Sequence, residues 1–317
     1  MVMWLQPEKV KEPVFKVLGA TGSGNFGHAG RVGEVGGSAS GDPRLSISFD
    51  EKSKTWMDAK GRPAPPHVAK LSIPPAWKNV VYDPNPKSDK VVMGTDSKGR
   101  EIRIYSNNYR VMRAEQKFAR VKELVSKLDT VVSQNKTNLK NPEKNEAASA
   151  LAVIASTGIR PGSETDTKAE KQAYGATTLE GRHVVQKSGE VRLQFTGKKG
   201  VSLDIPVRDP AVAKLLIQRK KAAGSSGKLF NVDAKALLEY TKTLDGGGFK
   251  TKDFRTALGT KTAMEEMTRF PTPKTDKEYR KSVMAVAKVV SEKLGNTPVI
   301  ALQSYIAPAV FSKWQTK

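Results

Sequence analysis

Cysteine is absent from this chain of 317 residues, which excludes disulfides, thiolate nucleophiles and cysteine-ligated zinc. Histidine is nearly as scarce: His28, His67 and His183 are too scattered along the chain to form a metal cluster. The expectation is chemistry without a metal or any other cofactor. Long apolar runs are missing too. No stretch reaches the roughly 18 residues that a membrane span requires, and the most apolar one, Ala147 to Ile159, reads as a buried helix. The opening Met-Val-Met-Trp is soon followed by acids and lysines and has no secretory apolar core. Acidic residues are in deficit, 32 Asp and Glu against 54 Lys and Arg, for a net charge of +22. Such an excess repels itself in a compact state unless a polyanion matches it. Nucleic acid is the natural partner, because Lys and Arg that neutralise phosphates give strong, salt-sensitive affinity.

Residues from about Leu18 to Pro43 are rich in Gly, Ser and Ala and bury too little surface to offset their ordering entropy. They read as a flexible tail. Its Gly22-Ser-Gly-Asn-Phe-Gly-His-Ala-Gly-Arg31 core is similar to a segment of tailed-phage proteins. Gly22 and Gly24 do not make a phosphate loop, since no strand precedes them and no G-K-[ST] follows. From Leu71, short strand candidates at Val80–Tyr82, Lys90–Met93 and Arg100–Tyr105 are separated by Asp-Pro-Asn-Pro and Asp96-Ser-Lys-Gly99 turns. A long helical pattern follows, Arg113 to about Val132. Further helices are expected at Glu146–Ser156 (closed by Gly158), 211–222, 232–243, 254–268 and 277–294 (closed by Gly295). One strand group interrupts them at 183–186, 191–196 and 201–205.

Five positions stand out as chemistry. Arg160 lies in Thr-Gly-Ile-Arg-Pro-Gly just beyond a helix end, where the following proline holds the backbone extended and a guanidinium fork can be aimed at a phosphate. Lys198 sits at what reads as a two-residue hairpin tip, Gly197-Lys-Lys-Gly200, with Lys199 beside it. Arg255, in Lys252-Asp-Phe-Arg-Thr, reads as the start of a helix, where the local field favours anions. Asn296 follows the glycine stop, and Thr297-Pro298 reads as an N-cap and first position of a new helix. Tyr305 comes nine residues after Asn296 in Ser-Tyr-Ile-Ala-Pro. Alone, each has a plainer explanation: a loop arginine, a solvated turn lysine, a helix-surface arginine, a turn asparagine and a core aromatic.

In this order the five resemble a type IB DNA topoisomerase of the small poxvirus-like and bacterial kind, across roughly Leu71 to Pro308. The resemblance implies an α+β protein, with a small N-terminal mostly β domain and a larger mainly helical catalytic domain, together forming a C-shaped DNA clamp. The expected divisions are a tail over 1–45, a β clamp domain over 46–110 and a catalytic domain over 111–317. It implies that Tyr305 attacks a phosphodiester to give a 3′-phosphotyrosyl bond, that Arg160 and Arg255 activate it and stabilise the transition state, and that Lys198 protonates the leaving 5′-oxygen. Asn296 stands where many relatives carry histidine. Backbone or base contacts would come from Lys199, Arg100, Arg103, Tyr105 and Lys252, and from Tyr174, Thr177 and His183, for each of which structural packing is an equal alternative. Relatives usually continue Gly-Arg-Lys-Gln-Tyr-x-Tyr where this chain reads Gly99-Arg-Glu-Ile-Arg103-Ile-Tyr105, so their sequence preference need not carry over. The implied partner is double-stranded DNA, with no nucleotide and no membrane, bound by a monomer in the cytoplasm, nucleoid or virion. A tyrosine recombinase is the nearest alternative. It usually has His-x-x-Arg where this chain has Lys252-x-x-Arg255, and lacks the Ile73-Pro-Pro-Ala-Trp77 motif. A non-catalytic DNA-binding phage protein is the other alternative.

Overall fold

The computed structural model describes residues 44–167 and 172–314. The tail expected over 1–45 therefore lies outside the described residues as far as residue 43. The described chain divides into two compact units, one ending at Gln116 and the other running from Lys117.

The first unit is built on an antiparallel sheet: β1 (Leu45–Asp50), β2 (Thr55–Asp58), β3 (Lys78–Tyr82), β4 (Lys90–Thr95) and β5 (Glu101–Tyr105), in the order β2-β1-β3-β4-β5. A short helix, α1 (Pro66–Ala69), packs Val68 into its core with Ile47, Ile73, Trp77, Val80 and Val92. β3, β4 and β5 coincide with the expected strands. β1 and β2 were not expected, although Leu-Ser-Ile-Ser-Phe-Asp alternates apolar and polar residues as a half-buried strand should. A Cβ at Gly94 would lie 3.0 Å from the Trp77 ring, so the glycine makes room for the indole on the sheet.

The helical pattern expected over 113–132 is two helices, α2 (Asn107–Ser126) and α3 (Leu128–Asn138), broken at Lys127 with φ −105° and ψ 10°. The break lets α3 turn Val131, Asn135 and Asn138 inward, where Asn135 donates to the Ala148 carbonyl at 3.0 Å and Asn138 to the Tyr240 hydroxyl at 3.0 Å. Next come α4 (Asn145–Thr157), α5 (Glu164–Thr167) and a three-stranded antiparallel sheet, β6 (Val184–Lys187), β7 (Glu190–Gly197) and β8 (Val201–Pro206). The remainder is α6 (Pro210–Ala223), α7 (Ala234–Lys242), α8 (Thr251–Met267), α9 (Asp276–Leu294) and α10 (Pro298–Ser304). The core of this second unit gathers Leu151, Ile154, Leu193, Leu216, Leu237 and Phe254 from α4, β7, α6, α7 and α8. An N-terminal β portion followed by a larger helical portion is the α+β class expected.

Candidate active site

The second unit assembles its site from helix ends. α4 stops because Gly158 takes a left-handed conformation, φ 70°, and donates back to the Ile154 carbonyl, the stop that a residue without a Cβ makes easily. Ile159 is buried and anchors the turn, so Arg160 emerges immediately after it. The turn is then stitched to the segment at 175–178. Ala176 donates to the Arg160 carbonyl at 2.9 Å and Thr177 to the Pro161 carbonyl at 2.7 Å. A Cβ at Gly175 would sit 2.6 Å from the Arg160 oxygen, so only glycine permits this approach.

That stitching corrects two of the expected DNA contacts. Thr177 is 2% exposed, and its hydroxyl donates to the Pro161 carbonyl at 3.0 Å. His183 is buried as well, its Nδ1 accepting from the Glu180 amide at 2.9 Å and its ring 4.4 Å from that of Tyr174. Burial, and secondarily the charge of Arg182, lowers its pKa to about 4, so it is neutral near pH 7 and packs between Tyr174 and Phe195. Tyr174 is half-buried, its hydroxyl taking a hydrogen bond from Arg182 at 2.8 Å.

Arg255 is not at the start of its helix. α8 begins at Thr251, because the Asp253 carboxylate accepts from the Lys250 amide at 3.0 Å and caps the helix earlier than expected. Arg255 therefore lies in the second turn and is 4% exposed. Its guanidinium donates to the Gly158 carbonyl, at the end of α4, and to the Leu294 carbonyl, at the end of α9, the latter at 2.5 Å. Helix C-termini carry partial negative charge that favours a cation. The arginine is thus held by two carbonyl ends rather than exposed in an anion-favouring N-terminus. Lys252 lies exposed on the first turn of the same helix.

α9 ends at Gly295, φ 58°, and a Cβ there would lie 2.3 Å from Leu203 of β8, which brings the β7–β8 hairpin against this turn. Asn296 follows. Its amide nitrogen and oxygen are both buried, with no hydrogen-bond partner among the described residues. Thr297 then caps α10, its hydroxyl accepting from the Ile300 amide at 3.3 Å, with Pro298 in the first turn. Tyr305 closes α10, its amide donating to the Ala301 carbonyl at 2.8 Å. The tyrosine backbone rests on α8: Thr260 donates to the Tyr305 carbonyl at 3.3 Å, and a Cβ at Gly259 would approach that oxygen to 2.6 Å.

These supports bring three expected residues together. The Arg255 guanidinium carbon is 4.7 Å from the centre of the Tyr305 ring, and Arg160 acts on the same phenol by charge and hydrogen bonding. Burial raises the Tyr305 pKa, but Arg255 and then Arg160 outweigh it, and the net pKa is below the ordinary 10.0. Burial in turn lowers Arg255 to about 10, opposed by the attraction of Tyr305.

Lys198 and Lys199 are exposed at the hairpin tip, outside this buried cluster. The connection is one residue longer than expected: Gly197 pairs with Val201 across three residues, with Lys199 at φ 68° and Gly200 at φ 77°. The expected residues of the first unit lie on and beside β5. Arg100 is held by Asp96, Nε to Oδ2 at 2.8 Å. Arg103 pairs with Glu101, and its Nε is buried without a hydrogen-bond partner among the described residues. Tyr105 stacks on Tyr109 with ring centres 4.8 Å apart.

One residue of the site was missed. Lys117 of α2 donates to the Ser304 carbonyl, and its Nζ is 5.7 Å from the Tyr305 ring centre. It falls inside a helical pattern with no motif around it, so the sequence carried no signal for it.

Residues 106–317 match the family model described as the catalytic core of eukaryotic DNA topoisomerase I. The chain belongs to the type IB DNA topoisomerases. It is 29% identical to a DNA topoisomerase 1B of Acanthamoeba polyphaga mimivirus over 288 residues, 84% of this chain and 83% of that protein. It is 23% identical to the vaccinia virus (strain Copenhagen) DNA topoisomerase 1B and to a monkeypox virus DNA topoisomerase I, each over 72% of this chain and 73% of the relative. The matches do not favour the recombinase or the non-catalytic alternative.

Proposed function

We propose that this chain relaxes supercoiled double-stranded DNA through a transient single-strand break, with Tyr305 as the nucleophile. The observation that carries this reading is the convergence of Arg255 and Arg160 on the phenol. The phenol oxygen attacks phosphorus, the bond to the 5′-oxygen breaks, and the strand is held as a 3′-phosphotyrosyl ester. Phenol is a poor nucleophile until it loses its proton, and the two guanidinium groups lower that cost. They also face the charge that develops on the equatorial phosphate oxygens, the preorganised stabilisation that contributes most in many enzymes. The amide of Asn296, buried without a partner among the described residues one residue past the turn that anchors Arg255, donates to a non-bridging oxygen.

Lys198 serves as the general acid for the departing 5′-oxygen, reaching the DNA from the exposed tip of a hairpin whose Leu203 abuts the Gly295 turn. After strand rotation the 5′-hydroxyl attacks the phosphotyrosyl ester and reseals the backbone. The ester conserves the bond energy, so the reaction runs without ATP, and the fixed arginines take the role of a divalent metal. The protein acts as a monomer, with Lys199, Lys252 and Tyr174, and in the first unit Arg100, Arg103 and Tyr105, on the DNA. Its affinity falls steeply with salt.

The test mixes the protein with negatively supercoiled plasmid in EDTA without nucleotide, beside Tyr305→Phe. A ladder of relaxed topoisomers from wild type and none from the variant is expected. Failure of wild type to relax the plasmid at any salt that permits binding would overturn the reading.

A further inference from the structure

We propose that Lys117 is a positioning residue for Tyr305, its ammonium anchoring the carbonyl that ends α10 while placing positive charge over the phenol ring. The inference rests on Tyr305 being the nucleophile and adds a group that the recognised motifs do not contain.

The geometry is specific. Lys117 reaches from α2 across 187 residues of sequence to the carbonyl of Ser304, the residue before the tyrosine. A helix end leaves its last carbonyls without intrahelical partners, and a cation there is favoured both as donor and by the helix dipole. The same Nζ lies 4.9 Å from the Phe118 ring centre and 5.7 Å from that of Tyr305. A cation facing a ring attracts its π face, and it favours a phenolate more strongly than a neutral phenol. With Arg255 at 4.7 Å from the same ring centre, two cations from different helices, α2 and α8, lie close to the Tyr305 ring.

The groups around Lys117 fix the sign of the effect. Burial lowers its pKa to about 8. Tyr305 and Asp253 oppose that shift, while Arg120, on its own helix, and Lys252 reinforce it. Asp253, 2% exposed, accepts from the Arg120 Nε at 3.1 Å and from the Lys250 amide at 3.0 Å, so its charge is shared with those donors. Below about pH 8 Lys117 is predominantly an ammonium, and the ionised forms of Lys117 and Tyr305 stabilise each other. Above that pH the positive charge over the ring fades.

Lysine is suited to both tasks. Its compact ammonium on a flexible stem spans from α2 to the helix end, and its three donors can hold the carbonyl while the charge stays near the ring. A methionine of similar length removes both contributions, a glutamine keeps a donor without the charge, and an arginine keeps the charge.

The experiment measures relaxation of negatively supercoiled plasmid by excess protein from about pH 6 to about pH 10, the range in which both groups titrate. It compares wild type with Lys117→Met, Lys117→Gln and Lys117→Arg, and thermal melting of each variant reports folding. Lys117→Met and Lys117→Gln are expected to move the rising limb of the pH profile upward by roughly one unit, about tenfold in rate at pH 7. Lys117→Arg is expected to return the limb toward the wild-type position. A merely structural role would lower the rate of Lys117→Met and leave the pH profile in place, which overturns the proposal. So does a wild-type profile from Lys117→Gln. If wild type itself relaxes nothing, the Tyr305 reading falls and takes this one with it, whereas relaxation by wild type with unmoved Lys117 profiles sinks the lysine alone.

Discussion

The guanidinium carbon of Arg255 lies 4.7 Å from the centre of the Tyr305 ring, on a side chain tied to the backbone carbonyls of Gly158 and Leu294. The arginine that faces the phenol is therefore positioned by the ends of α4 and α9, the two helices that also lead into Arg160 and Asn296. One buried side chain ties together the segments that carry the rest of the site.

The first prediction follows from the lowered pKa of Tyr305. Because Arg255 and Arg160 hold the phenol below 10.0 against the opposing effect of burial, DNA cleavage should reach its plateau at a pH below that of an ordinary phenol. Arg160→Ala and Arg255→Gln should each shift the rising limb upward and slow cleavage by roughly 10² to 10³-fold, the scale for loss of one preorganised donor. Single-turnover formation of the covalent protein–DNA complex across pH is the measurement. An unmoved limb would show that the arginines do not act on the phenol.

The hairpin separates its two lysines. Lys198→Ala should slow cleavage by roughly 10² to 10⁴-fold, as loss of a general acid does. Lys199 occupies a left-handed conformation at φ 68° that glycine adopts without strain. Lys199→Gly should therefore leave the melting temperature unchanged or raise it, and its cost should appear in DNA affinity and salt dependence more than in the cleavage step. Equal losses in the chemical step from both substitutions would mean that the lysines share the proton transfer.

Gly259 tests how tightly Tyr305 must be seated. Alanine is the better helix former by about 1 kcal/mol, yet its Cβ would come within 2.6 Å of the Tyr305 carbonyl oxygen. Gly259→Ala should displace the nucleophile and lower cleavage by as much as roughly 10²-fold while the protein still folds and binds DNA. Wild-type cleavage rates would mean that the tyrosine segment relaxes without consequence.

His183 makes stability depend on pH. Its folded pKa, about 4, lies below the ordinary 6.5, so as pH falls through that interval the unfolded chain takes up a proton that the folded chain does not. Folding stability should fall between pH 6.5 and pH 4 as the unfolded chain is protonated first. Denaturant unfolding at neutral and at mildly acidic pH should show a smaller loss for His183→Gln than for wild type. Identical losses would place the acid sensitivity elsewhere.

Much of the site was legible because helix ends are written in local residue types. Gly158 and Gly295 stop helices, Thr297-Pro298 starts one, and each lies next to a residue of interest, so Arg160, Asn296 and Tyr305 could be placed on turns or helix ends from the chain alone. The same locality explains the mistakes. Arg255 was read at the very start of a helix because the cap formed by Asp253 on the Lys250 amide was overlooked. Thr177 and His183 could be read as phosphate ligands or as packing residues, and nothing in their types reveals that both are buried.

What the sequence by itself determined is the α+β class, the excess of positive charge that calls for a polyanion, and the order of Arg160, Lys198, Arg255, Asn296 and Tyr305. These follow from composition and from short-range backbone preferences, which depend on neighbours along the chain. Only the tertiary structure decided that Arg255 is buried against two helix ends, that Asn296 keeps a buried amide with no partner among the described residues, and that Lys117 faces Tyr305. Each of these depends on segments distant in sequence, and no local pattern encodes which carbonyl or ring a side chain meets after the helices pack.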